Sequence, residues 1–107
     1  MNANDYCIAM TTTNSKLDAS QLARKLVASK LAACVQIQTI ESHYVWAGEA
    51  QEDAEFLLSA KTRTDLFEAL SNCITREHPY ETPEIISVPI MQASQAYLAW
   101  LDQNIRR

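Results

Sequence analysis

Residues 35–61 read VQIQTIESHYVWAGEAQEDAEFLLSAK, and the reading of this stretch decides the fold. Val35, Ile37, Thr39, Ile40, Tyr44, Val45 and Trp46 are the β-branched and aromatic side chains that suit a pleated surface. Beyond Ala47-Gly48-Glu49, Ala54, Phe56, Leu58 and Ala60 alternate with Glu55, Leu57, Ser59 and Lys61, the period of two of a strand. Gly48, the only glycine in the chain, is free to take positive φ and marks the reversal. The spacing predicts one long strand over Leu31–Trp46, bent near Glu41-Ser42, in an antiparallel hairpin with Glu52–Lys61. Arms of about a dozen residues at roughly 3.3 Å each reach about 40 Å, more than a small sheet needs. The overhang carries Tyr44, Val45 and Trp46 near its tip and forms an exposed edge. Closed, symmetric self-association through the hairpin covers such an edge, so a homo-oligomer is expected.

The flanking segments extend the pattern. Tyr6 to Thr12 alternates large and small side chains as a strand does, and Thr12-Thr13-Asn14-Ser15 is a helix-start cluster. From Leu17 to Lys30, Ala19, Leu22, Ala23, Leu26 and Val27 recur at helical spacing. A second helix is predicted over Thr64–Arg76, with Leu66, Phe67, Leu70, Cys73 and Ile74 on one face. A short strand follows over Glu84–Pro89. Ser94 then N-caps a last helix that turns Tyr97, Leu98, Leu101 and Ile105 inward. The order β-α-β-β-α-β-α, with right-handed crossovers, gives an α+β ferredoxin-like βαββαβ split sheet plus a C-terminal helix. No linker or repeat interrupts it, so residues 1–107 are expected to form a single domain.

Composition narrows the function. The net charge of −4 is spread along the chain, which disfavours nucleic acid as a partner. No apolar run approaches the length that spans a bilayer, so no membrane is expected either. Cys7, Cys34 and Cys73 are odd in number and widely spaced, as thiols in a reduced compartment are. The N-terminus lacks a basic segment followed by an apolar one, and a cytoplasmic location is expected. One glycine cannot build a phosphate-cradling loop. Neither a nucleophile elbow nor a His-x-x-x-His pair is present, and the chain is read as a non-enzyme.

Ligand chemistry concentrates in Glu77-His78-Pro79-Tyr80-Glu81-Thr82-Pro83-Glu84. The prolines stop the preceding helix and hold an extended connector, so this is either a rigid ligand or metal loop or a helix stop with solvated charges. Cys34, beside the small Ala32 and Ala33, is either a soft thiolate ligand or a core cysteine. Cys7 and Cys73 fall on core stripes. Glu55 and Lys61 share one face of their strand, where they either line a polar pocket or face solvent. His43 is placed at the surface or an interface.

Together, Thr11-Thr12, Lys30-Leu31-Ala32-Ala33-Cys34-Val35, Tyr44-Val45-Trp46-Ala47-Gly48, Glu55, Leu57-Leu58-Ser59-Ala60-Lys61-Thr62 and His78-Pro79-Tyr80-Glu81-Thr82-Pro83-Glu84 resemble the CutA divalent-cation tolerance family, from about Tyr6 to Leu101. The resemblance implies a homotrimer interlocked through its long hairpins, similar in architecture to the PII signalling proteins. It also implies a role in tolerance of copper or other divalent cations, bound in or near intersubunit clefts. The implied metal residues are His78 and Cys34, helped by Glu81, with Tyr80, Trp46, Glu55, Lys61 and Glu84 as cleft walls. No cofactor is required, and Cu²⁺ or Zn²⁺ are the ions implied. Some relatives carry a histidine and a cysteine where this chain has Glu77 and Thr11, so two soft ligands are absent here. The alternative is a PII-like signalling trimer that binds a small anionic metabolite through Lys61. A third is a structural scaffold for a partner protein.

Overall fold

The computed structural model describes residues 1–107. Strand β1 (Tyr6–Thr13) leads into helix α1 (Lys16–Ala28), and β2 (Cys34–Trp46) and β3 (Glu49–Arg63) form the long hairpin. Helix α2 (Phe67–Glu77), strand β4 (Ile86–Pro89) and helix α3 (Gln95–Gln103) complete the chain. The sheet order is β2-β3-β1-β4 with every neighbouring pair antiparallel. This is the expected ferredoxin-like arrangement with a C-terminal helix.

The hairpin register is unbroken from Cys34 opposite Lys61 to Trp46 opposite Glu49. The predicted bend at Glu41-Ser42 therefore interrupts no pairing. Strand β1 covers β3 only from Phe56 to Arg63, so the distal half of the hairpin is a two-stranded ribbon. It stretches the molecule to 45 × 25 × 21 Å. The two-residue turn holds Ala47 at φ 52° and Gly48 at φ 78°. Both positions need positive φ, which costs a non-glycine residue roughly 1 kcal/mol. Ala47→Asn is expected to raise stability by about 0.5–1 kcal/mol. Unfolding in denaturant checks this, and a lower midpoint would contradict it.

Strand β2 starts at Cys34, three residues after the predicted Leu31, because helix α1 needs those residues for its exit. Lys30 sits at φ 59°, and its amide reaches the Val27 carbonyl while that of Leu31 reaches the Leu26 carbonyl, both at 3.0 Å. These two bonds close a Schellman cap. The cap turns Leu31 and Ala32 into the core, at 2 % and 0 % exposure. Thr62 Oγ1 donates to the Leu31 carbonyl at 2.7 Å and ties this exit to β3. Strand β3 begins at Glu49 and not Glu52, since the tight turn lets pairing start at once. Strand β4 begins at Ile86 and not Glu84, because only residues from Ile86 onward oppose β1. Ser15 and Ser94 N-cap α1 and α3 through the amides of Asp18 and Tyr97.

Helices α1 and α2 cover one sheet face, where Leu22, Leu26, Leu70 and Ile74 meet Ala9, Leu58 and Ala60. Cys7 and Cys73 are buried, as their stripes predicted, whereas Cys34 is half-buried. At one end of the opposite face, Leu98 and Leu101 of α3 cluster with Tyr6, Leu66 and Ile105. The Tyr6 hydroxyl donates to Asp102 at 2.9 Å, and Arg107 and Arg63 approach the same carboxylate at 2.8 and 3.5 Å. The Tyr6 hydrogen bond, reinforced by both guanidinium groups, holds Asp102 below the usual carboxylate range. The rest of this face carries Ile8, Met10 and Leu57, half-buried, with Ile86 and Val88 exposed. No element of the chain covers it.

Candidate functional site

Beyond the end of β1, the hairpin ribbon and the proline loop face each other across a cavity of about 700 Å³. The hairpin contributes Ser42, Tyr44 and Trp46 from β2 and Asp53 and Glu55 from β3. The loop contributes Tyr80, Glu81, Thr82 and Glu84, and Thr12 and Asn14 close the end. The hairpin reaches this far because β2 and β3 continue past β1. The loop returns here because Pro79 and Pro83 end α2 and keep the following backbone extended.

The lining has four carboxylates, Asp53, Glu55, Glu81 and Glu84, and neither lysine nor arginine. Glu55 is the deepest, at 9 % exposure. The Tyr80 hydroxyl donates to its Oε2 at 3.2 Å, and Tyr44 donates similarly to Asp53. Burial, then the Glu55 charge and hydrogen bond, push the Tyr80 phenol up to about 12. Because the folded value is raised, this group's contribution to stability is whole below about pH 10. It is lost as pH rises through 12. Tyr80→Phe is therefore expected to flatten the fall in unfolding midpoint between about pH 10 and 12. An unchanged alkaline slope would contradict it.

His78 is only 8 % exposed and lies behind the cleft wall. Its Nδ1 accepts the Tyr80 amide at 3.1 Å, which leaves Nε2–H to donate to the Thr12 carbonyl at 2.7 Å. Both ring nitrogens are thus committed to the backbone, and neither offers a lone pair to an ion. The imidazole fastens the loop to β1. It also stacks at a tilt on Tyr80, with ring centroids 4.7 Å apart.

Within one chain, the residues assigned to a metal do not form a single set. Cys34 pairs with Lys61, whereas Thr12, which holds His78, pairs with Leu57. Leu57 and Lys61 are four steps apart along β3, roughly 13 Å at strand rise. Glu81 is exposed on the cleft rim. No group of three or more His, Cys, Asp or Glu side chains is arranged to hold a metal ion. Lys61 is likewise outside the cleft, its ammonium lying over the Tyr97 ring at 5.5 Å from the centroid. Of the residues expected as cleft walls, Tyr80, Trp46, Glu55 and Glu84 line this cavity within one chain, and Lys61 does not. Sequence reading missed Asp53, Tyr44 and Thr12. Asp53 shares the face of Glu55, and that period of two was the signal available. His43 is exposed between Glu41 at 2.8 Å and Glu52 at 3.3 Å.

A split antiparallel sheet with a long two-stranded arm defines a ferredoxin-like protomer, here with an acidic, aromatic-walled cleft. Comparison with known proteins narrows this. The CutA1 divalent ion tolerance protein family model matches residues 7–104, and the chain belongs to that family. The Divalent-cation tolerance protein CutA of Thermus thermophilus is 41 % identical over 98 residues, covering 91 % of this chain and 95 % of that protein. Protein CutA, chloroplastic, of Arabidopsis thaliana is 41 % identical over 92 % of this chain, which spans 55 % of the plant protein. The structure of the periplasmic divalent cation tolerance protein CutA from Archaeoglobus fulgidus superposes with a TM-score of 0.92 at 32 % identity. That match covers 94 % of this chain and 99 % of that one. Members of the family are not known as enzymes, in agreement with the sequence reading. One relative is named chloroplastic and another periplasmic, so the family does not carry the cytoplasmic expectation. No helix of the structure is long and apolar enough to cross a membrane.

Proposed function

We propose that this protein is a homotrimer that takes up divalent cations in its acidic clefts and so serves divalent-cation tolerance. The observation that carries this reading is the cleft lining: four carboxylates and no lysine or arginine. The donors are oxygens, which suit hard divalent ions, or hydrated ions held through their water shells, better than a soft copper site. In this reading Glu81 and Glu84 of the loop act together with Asp53 and Glu55 of the hairpin. His78 serves as the anchor of the loop, and Cys34 lies outside the cleft. Trimer formation is supported by the uncovered apolar sheet face and by Val45 and Trp46, 73 % and 67 % exposed at the hairpin tip. Copies closing around these surfaces would place each cleft at a subunit boundary.

An open site of this kind is expected to bind with a Kd of about 10⁻⁴ M and to weaken with salt. Calorimetric titration of Mn²⁺ and Cu²⁺ into wild type and the Asp53→Asn/Glu84→Gln double variant tests it. About a tenfold loss is expected, since two of the four charges disappear. Equal affinities in both proteins would refute the cleft as the cation site.

A further inference from the structure

We propose that the preferred occupant of the cleft is a small organic cation, an ammonium or guanidinium group on a carbon frame. This assignment rests on the cleft being a cation site and goes beyond it by naming the class of cation. Glu55 is its centre. This carboxylate is 9 % exposed, its Oε2 accepts only the Tyr80 hydroxyl, and Oε1 has no hydrogen-bond partner in the chain. None of the chain's ion pairs includes it. A buried carboxylate without a counter-charge is costly, and one that faces a cavity is stabilised when a cation enters.

The surroundings fit an extended cation better than a bare ion. A dehydrated calcium ion asks for six to eight oxygens at about 2.3–2.6 Å, and no three acidic, histidine or cysteine side chains are so arranged. The cavity of about 700 Å³ instead falls in the range of small-molecule sites. Tyr44, Trp46 and Tyr80 line it beside the carboxylates. Aromatic faces attract ammonium and guanidinium groups through the ring quadrupole, and the weakly hydrated guanidinium also stacks on them, whereas a hydrated metal ion keeps its waters. An N–H donor on Glu55 Oε1 with its carbon frame against these rings satisfies both features at once.

Agmatine and Mn²⁺ make a matched pair of probes, because both carry two positive charges at pH 7 and feel the same long-range attraction. Calorimetry at fixed salt is expected to give agmatine at least a tenfold tighter affinity. Glu55→Gln, which keeps an acceptor for Tyr80, should weaken agmatine at least tenfold and Mn²⁺ less than threefold. Trp46→Leu removes an aromatic ring from the cleft wall at the hairpin tip, and it is compared with wild type at the same association state, checked by ultracentrifugation. It should weaken agmatine at least threefold and leave Mn²⁺ unchanged. Agmatine binding no tighter than Mn²⁺, or insensitive to both substitutions, would overturn the organic-cation assignment and leave the cation cleft standing. Binding of neither probe would bring down both readings.

Discussion

His78→Ala is expected to lower the free energy of unfolding by about 3 kcal/mol, with no metal present. The imidazole is 8 % exposed and joins the Thr12 carbonyl to the Tyr80 amide. Alanine removes both hydrogen bonds, and each buried polar group left alone costs about 1–3 kcal/mol. A void where the ring stacked on Tyr80 adds to this. The proline loop would then lose its attachment to β1, and the cleft wall with it. Thermal unfolding in chelator, followed by circular dichroism, reads the effect. A metal-ligand role for His78 makes the opposite forecast: an unchanged midpoint in chelator and a loss of stability only when ions are supplied. That pattern would refute the anchoring role.

If the protein is the proposed trimer, Ile86→Glu is expected to convert it to monomers at micromolar concentration. Ile86 is 48 % exposed in the single chain, on the same uncovered face as Ile8, Met10 and Leu57, so the protomer tolerates a charge there. In a closed trimer the charge would be buried in every copy. An unpaired buried charge costs several kcal/mol, so three such penalties exceed what an interface of ordinary size supplies. Analytical ultracentrifugation should find three chain masses for wild type and one for the variant, with far-ultraviolet dichroism unchanged. A variant that stays trimeric would mean that this face is not the interface.

The legibility of the sequence follows the range of the interaction. The alternation of Ala54, Phe56, Leu58 and Ala60 placed β3 on the sheet because strand period is a local property of the backbone. Its start lies three residues before the expected Glu52, since one small alanine between Glu49 and Gln51 is a weak strand signal and the tight turn is what brings these residues opposite β2. The β2 start was read early, because the apolar Leu31-Ala32 resembles a strand until the Schellman cap at Lys30 draws it into the helix exit. The prolines of the loop announced a helix stop and an extended connector. They gave no sign of which way the His78 ring faces. Lys61 and Glu55 share a strand face as read, yet Lys61 is taken up by Tyr97 of α3, a partner no local pattern reveals.

The sequence by itself thus determined the order of elements, the hairpin with its turn at Gly48, the N-terminal starts of the first and last helices and the family. Each is written in spacings of a few residues and in motifs that keep their order along the chain. Only the tertiary structure decided the cleft. The hydrogen bond that commits His78 spans 66 residues, and the one that holds Tyr80 to Glu55 spans 25. Burial of Glu55 depends on a loop and a hairpin meeting beyond the end of a strand that stops short of both. Side-chain chemistry became a site only when distant segments closed over it, and that closure excluded a shared site for Cys34 and His78 within one chain.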